Sequence, residues 1–155
     1  MFNESFISGM RTSLDLYFRT FEFNASIYFV AREIGYWIYG YNNIAQIGPF
    51  LSVISVHTIL AISIIAVWNK WPLPKTFLLI LTSYLLFTTT VHPWYVIPLI
   101  AFGILSGYWY PIIWSFMIFL TYLGYTPTGF ELPMITVIVE YVIVGLILIF
   151  ELKSK

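Results

Sequence analysis

With 155 residues, 60% of them apolar and only 9% charged, the chain lacks the polar groups with which a water-soluble domain covers itself, and its mean hydropathy of +0.88 agrees. Seven cations balance seven acids with no basic run, which excludes the electrostatic footprint of a nucleic-acid binder. Cysteine is absent, removing disulfides, thiolate metal sites and thiol nucleophiles, and the solvent this composition calls for is a bilayer, where about five spans of roughly 20 residues fit.

Large apolar residues at Phe6, Met10, Leu14, Tyr17, Phe18 and Phe21 recur at helical spacings with Arg11, Asp15 and Arg19 between them, which predicts an amphipathic helix. A second helix is predicted from Asn24, read as an N-cap or a polar contact, to a stop at Gly40. Its apolar face carries Ile27, Val30, Ala31, Ile34, Trp37 and Ile38. Both helices are expected to lie in the headgroup plane. The charges at Glu4, Arg11, Asp15, Arg19, Glu22, Arg32 and Glu33 are those of an amphipathic surface, not of a secretory signal peptide. An opening segment of this kind on the outer face has no visible means of export, so further spans are expected upstream of Met1.

The first span is predicted over residues 44–68, ending in a turn with two cations, Lys70 and Lys75, and two tryptophans, Trp68 and Trp71. The second, 76–91, is halted by Pro93 beside His92, Trp94 and Tyr95. The third, 96–107, is short and contains Pro98. The fourth covers 112–124. A loop over 125–133 leads to the fifth, 134–150, and Lys153 and Lys155 finish the chain. The expected architecture is therefore all-α and integral to the membrane, with residues 1–43 an external interfacial segment and 44–155 a transmembrane domain. Cations in short loops stay cytoplasmic. Lys70 and Lys75 mark one turn as inside, and five crossings bring Lys153 and Lys155 to the same side. The alternation puts residues 1–43, the His92 loop and the Glu131 loop together on the outer face. No internal repeat suggests the paired halves of a secondary transporter.

A polar cluster on one membrane face is what a site for a lipid-linked substrate requires, and the outer face supplies Glu22, Asn24, Arg32, His92, Trp94 and Tyr95. Arg32 and His92 suit a phosphate oxygen, while Trp94 and Tyr95 suit an isoprenoid tail or a sugar face. The same residues also serve as ordinary interfacial anchors, with Arg32 on an anionic headgroup. Within the spans, Glu140 lies roughly 9 Å and His57 roughly 20 Å deep at 1.5 Å per residue, so the two are not expected to pair. Glu140 is expected to reach outer headgroups or stay protonated, and His57 to bond a neighbouring hydroxyl. No metal-ligand set can be drawn, and no cofactor is implied. Asn3-Glu4-Ser5 and Asn24-Ala25-Ser26 match the glycosylation acceptor pattern, which has meaning only in a eukaryotic secretory route.

The segment Phe21-Glu22-Phe23-Asn24-Ala25-Ser26-Ile27-Tyr28, followed by Arg32, Gly35 and Gly40-Tyr41-Asn42-Asn43, and then Thr90-Val91-His92-Pro93-Trp94-Tyr95 after a span, resembles the C-terminal half of bacterial polytopic mannosyltransferases with the C-type glycosyltransferase fold. The resemblance covers most of the chain. It implies an inverting enzyme of the bacterial inner membrane that takes a sugar from a polyprenyl-phosphate donor at the external face. In such enzymes the catalytic carboxylate lies in the first external loop, which has no counterpart here. Asp15 and Glu22 are the acids nearest the right face, and neither sits in a matching context, so no catalytic residue carries over. The six residues named above transfer only as donor or acceptor contacts. The remaining spans, or a partner subunit, would have to supply the base.

Two other classes stand beside this one. A non-catalytic membrane subunit would use Gly103, Ser106, Gly107 and Gly145 for close helix approach. A transporter would need a relay that His57 and Glu140 are too few to form.

Overall fold

The computed structural model describes residues 4–20, 22–127 and 129–154, with the side chains at 4 and 14–20 outside that description. The Asn3 acceptor pattern, the side chains of Glu4, Leu14, Asp15, Tyr17, Phe18 and Arg19, and residues Phe21 and Lys155 thus lie outside the described residues. Among the described residues the regular elements are helices and one short hairpin. Helix α1 runs Glu4–Thr20, α2 Ile27–Tyr39, α3 Ile44–Trp68 and α4 Leu73–Phe87. A 3-10 turn, Pro93–Val96, leads into α5, Ile97–Ser106. Helix α6, Tyr110–Met117, continues as a 3-10 segment, Ile118–Gly124. Strands β1 (Tyr125–Thr126) and β2 (Gly129–Phe130) pair antiparallel, and α7 is Met134–Ser154.

Proline and glycine punctuate these elements. Pro74, Pro98 and Pro111 stand in the first turns of α4, α5 and α6, where the missing N–H costs nothing, so Pro98 opens its helix instead of breaking it. Gly40 and Gly107 close α2 and α5 in the left-handed conformation, with φ of 77° and 73°. The second helical run, expected over 76–91, starts earlier at Leu73 and stops at Phe87, because Thr88–Val91 is drawn into extended contact with residue 23. Among the described residues, α3 and α7 are the two helices long and apolar enough to cross a membrane; α4, α5 and α6 are shorter.

Helices α3 to α7 run back and forth between two ends. One end gathers the α3–α4 turn, the α5–α6 turn and the end of α7. There Lys75 lies 4.7 Å from the Trp71 ring and 5.9 Å from the Tyr108 ring, and Glu151 accepts from the backbone N–H groups of Trp109 (2.9 Å) and Tyr110 (2.9 Å). The other end gathers residues 22–26, the 88–92 segment and the hairpin. Phe23 N–H donates to Thr89 O (3.0 Å), Val91 N–H donates to Phe23 O (2.7 Å), and the Phe23 and Phe130 rings stack at 4.9 Å.

The core between α4, α5, α6 and α7 is built on Leu78, Leu85, Leu99, Tyr110, Trp114, Ile118 and Val144. Gly103 permits its tightest contact: a Cβ there would lie 2.9 Å from Pro111 Cγ and 3.0 Å from Tyr108 O, which is the close helix approach expected of this glycine. Gly145 is the opposite case, with open space around the same position. The Tyr110 hydroxyl pairs with Thr82 Oγ1 at 2.5 Å and links α4 to α6.

Helix α2 packs on α3 and α4 through Tyr28, Phe29 and Gly35. The apolar face expected of this helix points outward, with Val30, Ile34, Trp37 and Ile38 exposed.

Candidate functional site

Three polar arrangements fan out from the extended residues 22–24. The first is centred on Glu22. Its Oε1 lies 2.6 Å from Arg32 Nη1, and its Oε2 accepts from the Tyr28 hydroxyl at 2.5 Å and from Asn42 Nδ2 at 3.1 Å. The Tyr28 oxygen is also 3.1 Å from Asn42 Oδ1, but a phenol has one proton, and the shorter, charge-assisted bond to the carboxylate takes it. Burial, reinforced by the adjoining carboxylate, pushes the Tyr28 hydroxyl well above its ordinary range, so it remains a donor.

Arg32 is doubly paired, its Nη2 reaching Glu33 Oε1 at 3.0 Å while its guanidinium lies 4.4 Å over the Phe29 ring. Burial alone would lower the Arg32 pKa. The carboxylates, Glu22 before Glu33, more than offset that, and the net direction is upward. The cluster therefore holds two carboxylates against one guanidinium. The arginine predicted to meet a phosphate is already committed.

The second arrangement points into the protein. Asn24 adopts a left-handed backbone, φ 46°, which non-glycine residues other than Asn, Asp and His enter rarely. This conformation aims its side chain at Glu140. Asn24 Nδ2 lies 3.2 Å from Oε1 and 3.1 Å from Oε2 of that carboxylate, Trp114 Nε1 donates to Oε1 at 2.9 Å, and the Tyr141 hydroxyl donates to Asn24 O at 2.7 Å. Glu140 is 1% exposed. A buried carboxylate survives by collecting such donors, each worth about 1.5–3 kcal/mol when one partner is charged.

Asn24 is thus the predicted polar contact and not a helix cap. The position before α2 is Ser26, whose hydroxyl donates to Leu86 O at 2.9 Å. Glu140 does not reach toward headgroups. His57 stands on the exposed face of α3 and donates from Nδ1 to Val53 O, 2.8 Å away in its own helix, where a hydroxyl partner had been expected.

The third arrangement is aromatic. The His92 ring stacks on Trp94 at 4.4 Å with 9° between planes, lies 4.6 Å from Phe23, and meets the edge of Tyr95 at 5.4 Å. Burial pushes the His92 pKa down, so near neutral pH the ring is an uncharged hydrogen-bonding group. Trp94 is exposed beside it.

Of the six predicted site residues, the structure joins Glu22 to Arg32 and joins His92 to Trp94 and Tyr95. Phe23 bridges these two groups, and Asn24 turns away into the core. Sequence reading missed Tyr28, Asn42, Glu33 and Trp114 as partners. Tyr28 and Asn42 stand inside the quoted motifs, and the 9 Å depth assigned to Glu140 was a usable signal that it could meet a polar group from the outer segment. Among the described residues, no group of three histidine or acidic side chains is placed to hold a metal ion.

Beside this site a cavity of about 660 Å³ opens between α2, α4, α6 and α7, lined mainly by apolar side chains. No protein-family model, no curated protein and no solved structure matches the chain.

Proposed function

We propose that this chain is part of an integral membrane glycosyltransferase of the bacterial inner membrane. In this reading it crosses the bilayer five times with its C-terminus in the cytoplasm, and it binds a polyprenyl-phosphate-linked sugar, mannose by resemblance, at the external surface. What supports embedding is exposure: within their most apolar stretches α3 and α7 bury only 17% and 22% of residues. A soluble protein's core helices would bury most of theirs, and side chains such as Phe50, Val56, Leu60 and Ile64 instead face outward.

The observation that carries the site is the backbone bridge between Phe23 and Thr90. It brings together the two segments on which the resemblance rests, far apart in the chain, and sets Phe23 against His92. In the transfer itself the acceptor hydroxyl oxygen attacks the anomeric carbon. The bond from that carbon to the phosphate oxygen breaks, polyprenyl phosphate leaves with the electron pair, and the hydroxyl proton passes to a carboxylate base. That base comes from an acidic external loop outside this chain, on further spans or on a partner subunit.

Arg32 meets the donor phosphate by exchanging Glu33, its more exposed partner, while the short bond to Glu22 keeps the guanidinium aimed. Neutral His92 donates one further hydrogen bond, and Trp94 offers a face to the sugar or the isoprenoid. The test is mannosyl transfer from polyprenyl-phosphate-mannose by the full-length protein in proteoliposomes. Arg32→Ala and His92→Ala are each expected to lower it at least tenfold, about 1.4 kcal/mol of lost transition-state binding, with membrane insertion unchanged. Undiminished transfer in both variants removes the site.

One observation favours a second reading, a non-catalytic subunit: Arg32 already carries two carboxylates, so its guanidinium needs no phosphate to satisfy it. Under that reading the chain copurifies with a separate membrane protein bearing the acidic loop, and Arg32→Ala disrupts the pairing without affecting donor affinity.

A further inference from the structure

The cavity beside α2 is not used by the site described above. Its walls are Val30, Ile34 and Trp37 on α2 and Ile138 and Val142 on α7, with Trp114 between them. Four polar residues touch it, and three are engaged: Ser26 donates to Leu86 O, Thr82 pairs with Tyr110, and Tyr141 donates to Asn24 O. The fourth is Glu33. Its Oε1 accepts from Arg32, its side chain is 45% exposed, and its Oε2 has no hydrogen-bond partner among the described residues. Since Glu22 also leans on Arg32, the described residues set one guanidinium against two carboxylates at the cavity's edge. Glu33 stands three residues after Val30 and four before Trp37 on the same helical stripe, which sets a carboxylate at the border of an apolar trough.

We propose that this trough binds one tail of a bilayer phospholipid whose headgroup carries a primary ammonium, seated on Glu33. The tail replaces bilayer contact along α2 and α7, and the ammonium supplies a second positive charge together with N–H donors for Oε2. An anionic headgroup meets the excess carboxylate and is repelled. A choline headgroup carries the charge but has no N–H to donate. The open space around Gly145, which borders the same cavity, is where the tail passes α7. The inference requires the chain to sit in a bilayer and does not depend on sugar transfer, so a protein without transferase activity leaves it intact.

The experiment is native mass spectrometry of the detergent-purified full chain with equal amounts of dioleoyl-phosphatidylethanolamine, -phosphatidylglycerol and -phosphatidylcholine. The ethanolamine lipid is expected to be retained about fivefold over either of the others, the scale of one half-exposed ion pair. Glu33→Gln brings its retention down to the choline level while apolar binding persists. Gly145→Phe lowers retention of all three lipids with an unchanged size-exclusion profile. If that variant does not assemble, Val142→Trp, at an exposed position, gives the same reading.

Equal or stronger retention of phosphatidylglycerol overturns the proposal, as does an ethanolamine preference that survives Glu33→Gln. A photo-crosslinker at Val142 that captures a polypeptide in native membranes, and no lipid, assigns the trough to a protein partner and overturns it as well.

Discussion

Helix α7 carries two buried carboxylates, and the ends of the protein use them differently. Glu151 accepts from the backbone of Trp109 and Tyr110 and closes the start of α6, a local task near the edge of the bundle. Glu140 takes its donors from the side chains of Asn24 and Trp114, which belong to two other elements. One carboxylate finishes a helix. The other fixes the path of residues 22–24, from which Glu22 departs toward Arg32 and Phe23 toward His92. The same residue type on the same helix thus does capping work at the lysine-bearing end and long-range positioning at the end where the candidate site lies.

The largest expected effect separates these roles. Glu140→Leu leaves Asn24 Nδ2 and Trp114 Nε1 unpaired in the interior and is expected to cost about 3 kcal/mol, measured by reversible unfolding in mixed micelles. Glu140→Gln keeps an acceptor for Trp114 and costs about 1 kcal/mol.

Next in size is Glu151→Ala, a lost cap worth about 1–2 kcal/mol, since the acceptor removed serves only the backbone at one helix start. It should leave fluorescence from a probe near His92 unchanged, whereas Glu140→Leu should shift it. Equal costs, or an equal shift, would break the comparison.

The smallest effect is titration of His92. Its folded pKa is depressed by burial, so the unfolded chain takes up the proton first. The stability it contributes is full above about pH 6.5, the ordinary histidine value, and is lost as pH falls through the lower folded value. His92→Phe keeps the ring packing against Phe23 and Trp94 and should flatten this part of the pH profile relative to the parent chain. A profile of identical slope in both would assign the titration to another group.

Helix type and order were legible in the sequence because long apolar runs separated by proline, glycine and tryptophan leave little choice of element. Boundaries were less so. Thr88–Val91 reads as the tail of a span, yet it is held extended by Phe23, a contact no local pattern encodes. The β1–β2 hairpin in the 125–133 loop likewise depends on pairing between two residue pairs too short to show alternation. Convergence of Glu22, Arg32 and His92 at one end followed from counting crossings.

The orientation of each side chain did not follow. Asn24 has the composition of a cap, and its positive φ turns it from α2 toward Glu140 and Tyr141 on α7. Likewise, the stripe of Val30, Ile34 and Trp37 is exposed on the protein's surface, and its helical period says nothing of which neighbour it meets.

The central claim is that residues 22–43 and 88–95 share one membrane surface opposite Lys70 and Lys153. The chain has no native cysteine, so single cysteines at positions 42, 92, 70 and 153 can be probed in intact spheroplasts with a membrane-impermeant maleimide. Labelling at 42 and 92, with 70 and 153 protected until the membrane is permeabilised, is the expected result. Labelling at 70 with protection at 92 would contradict the account and dissolve the proposed external site.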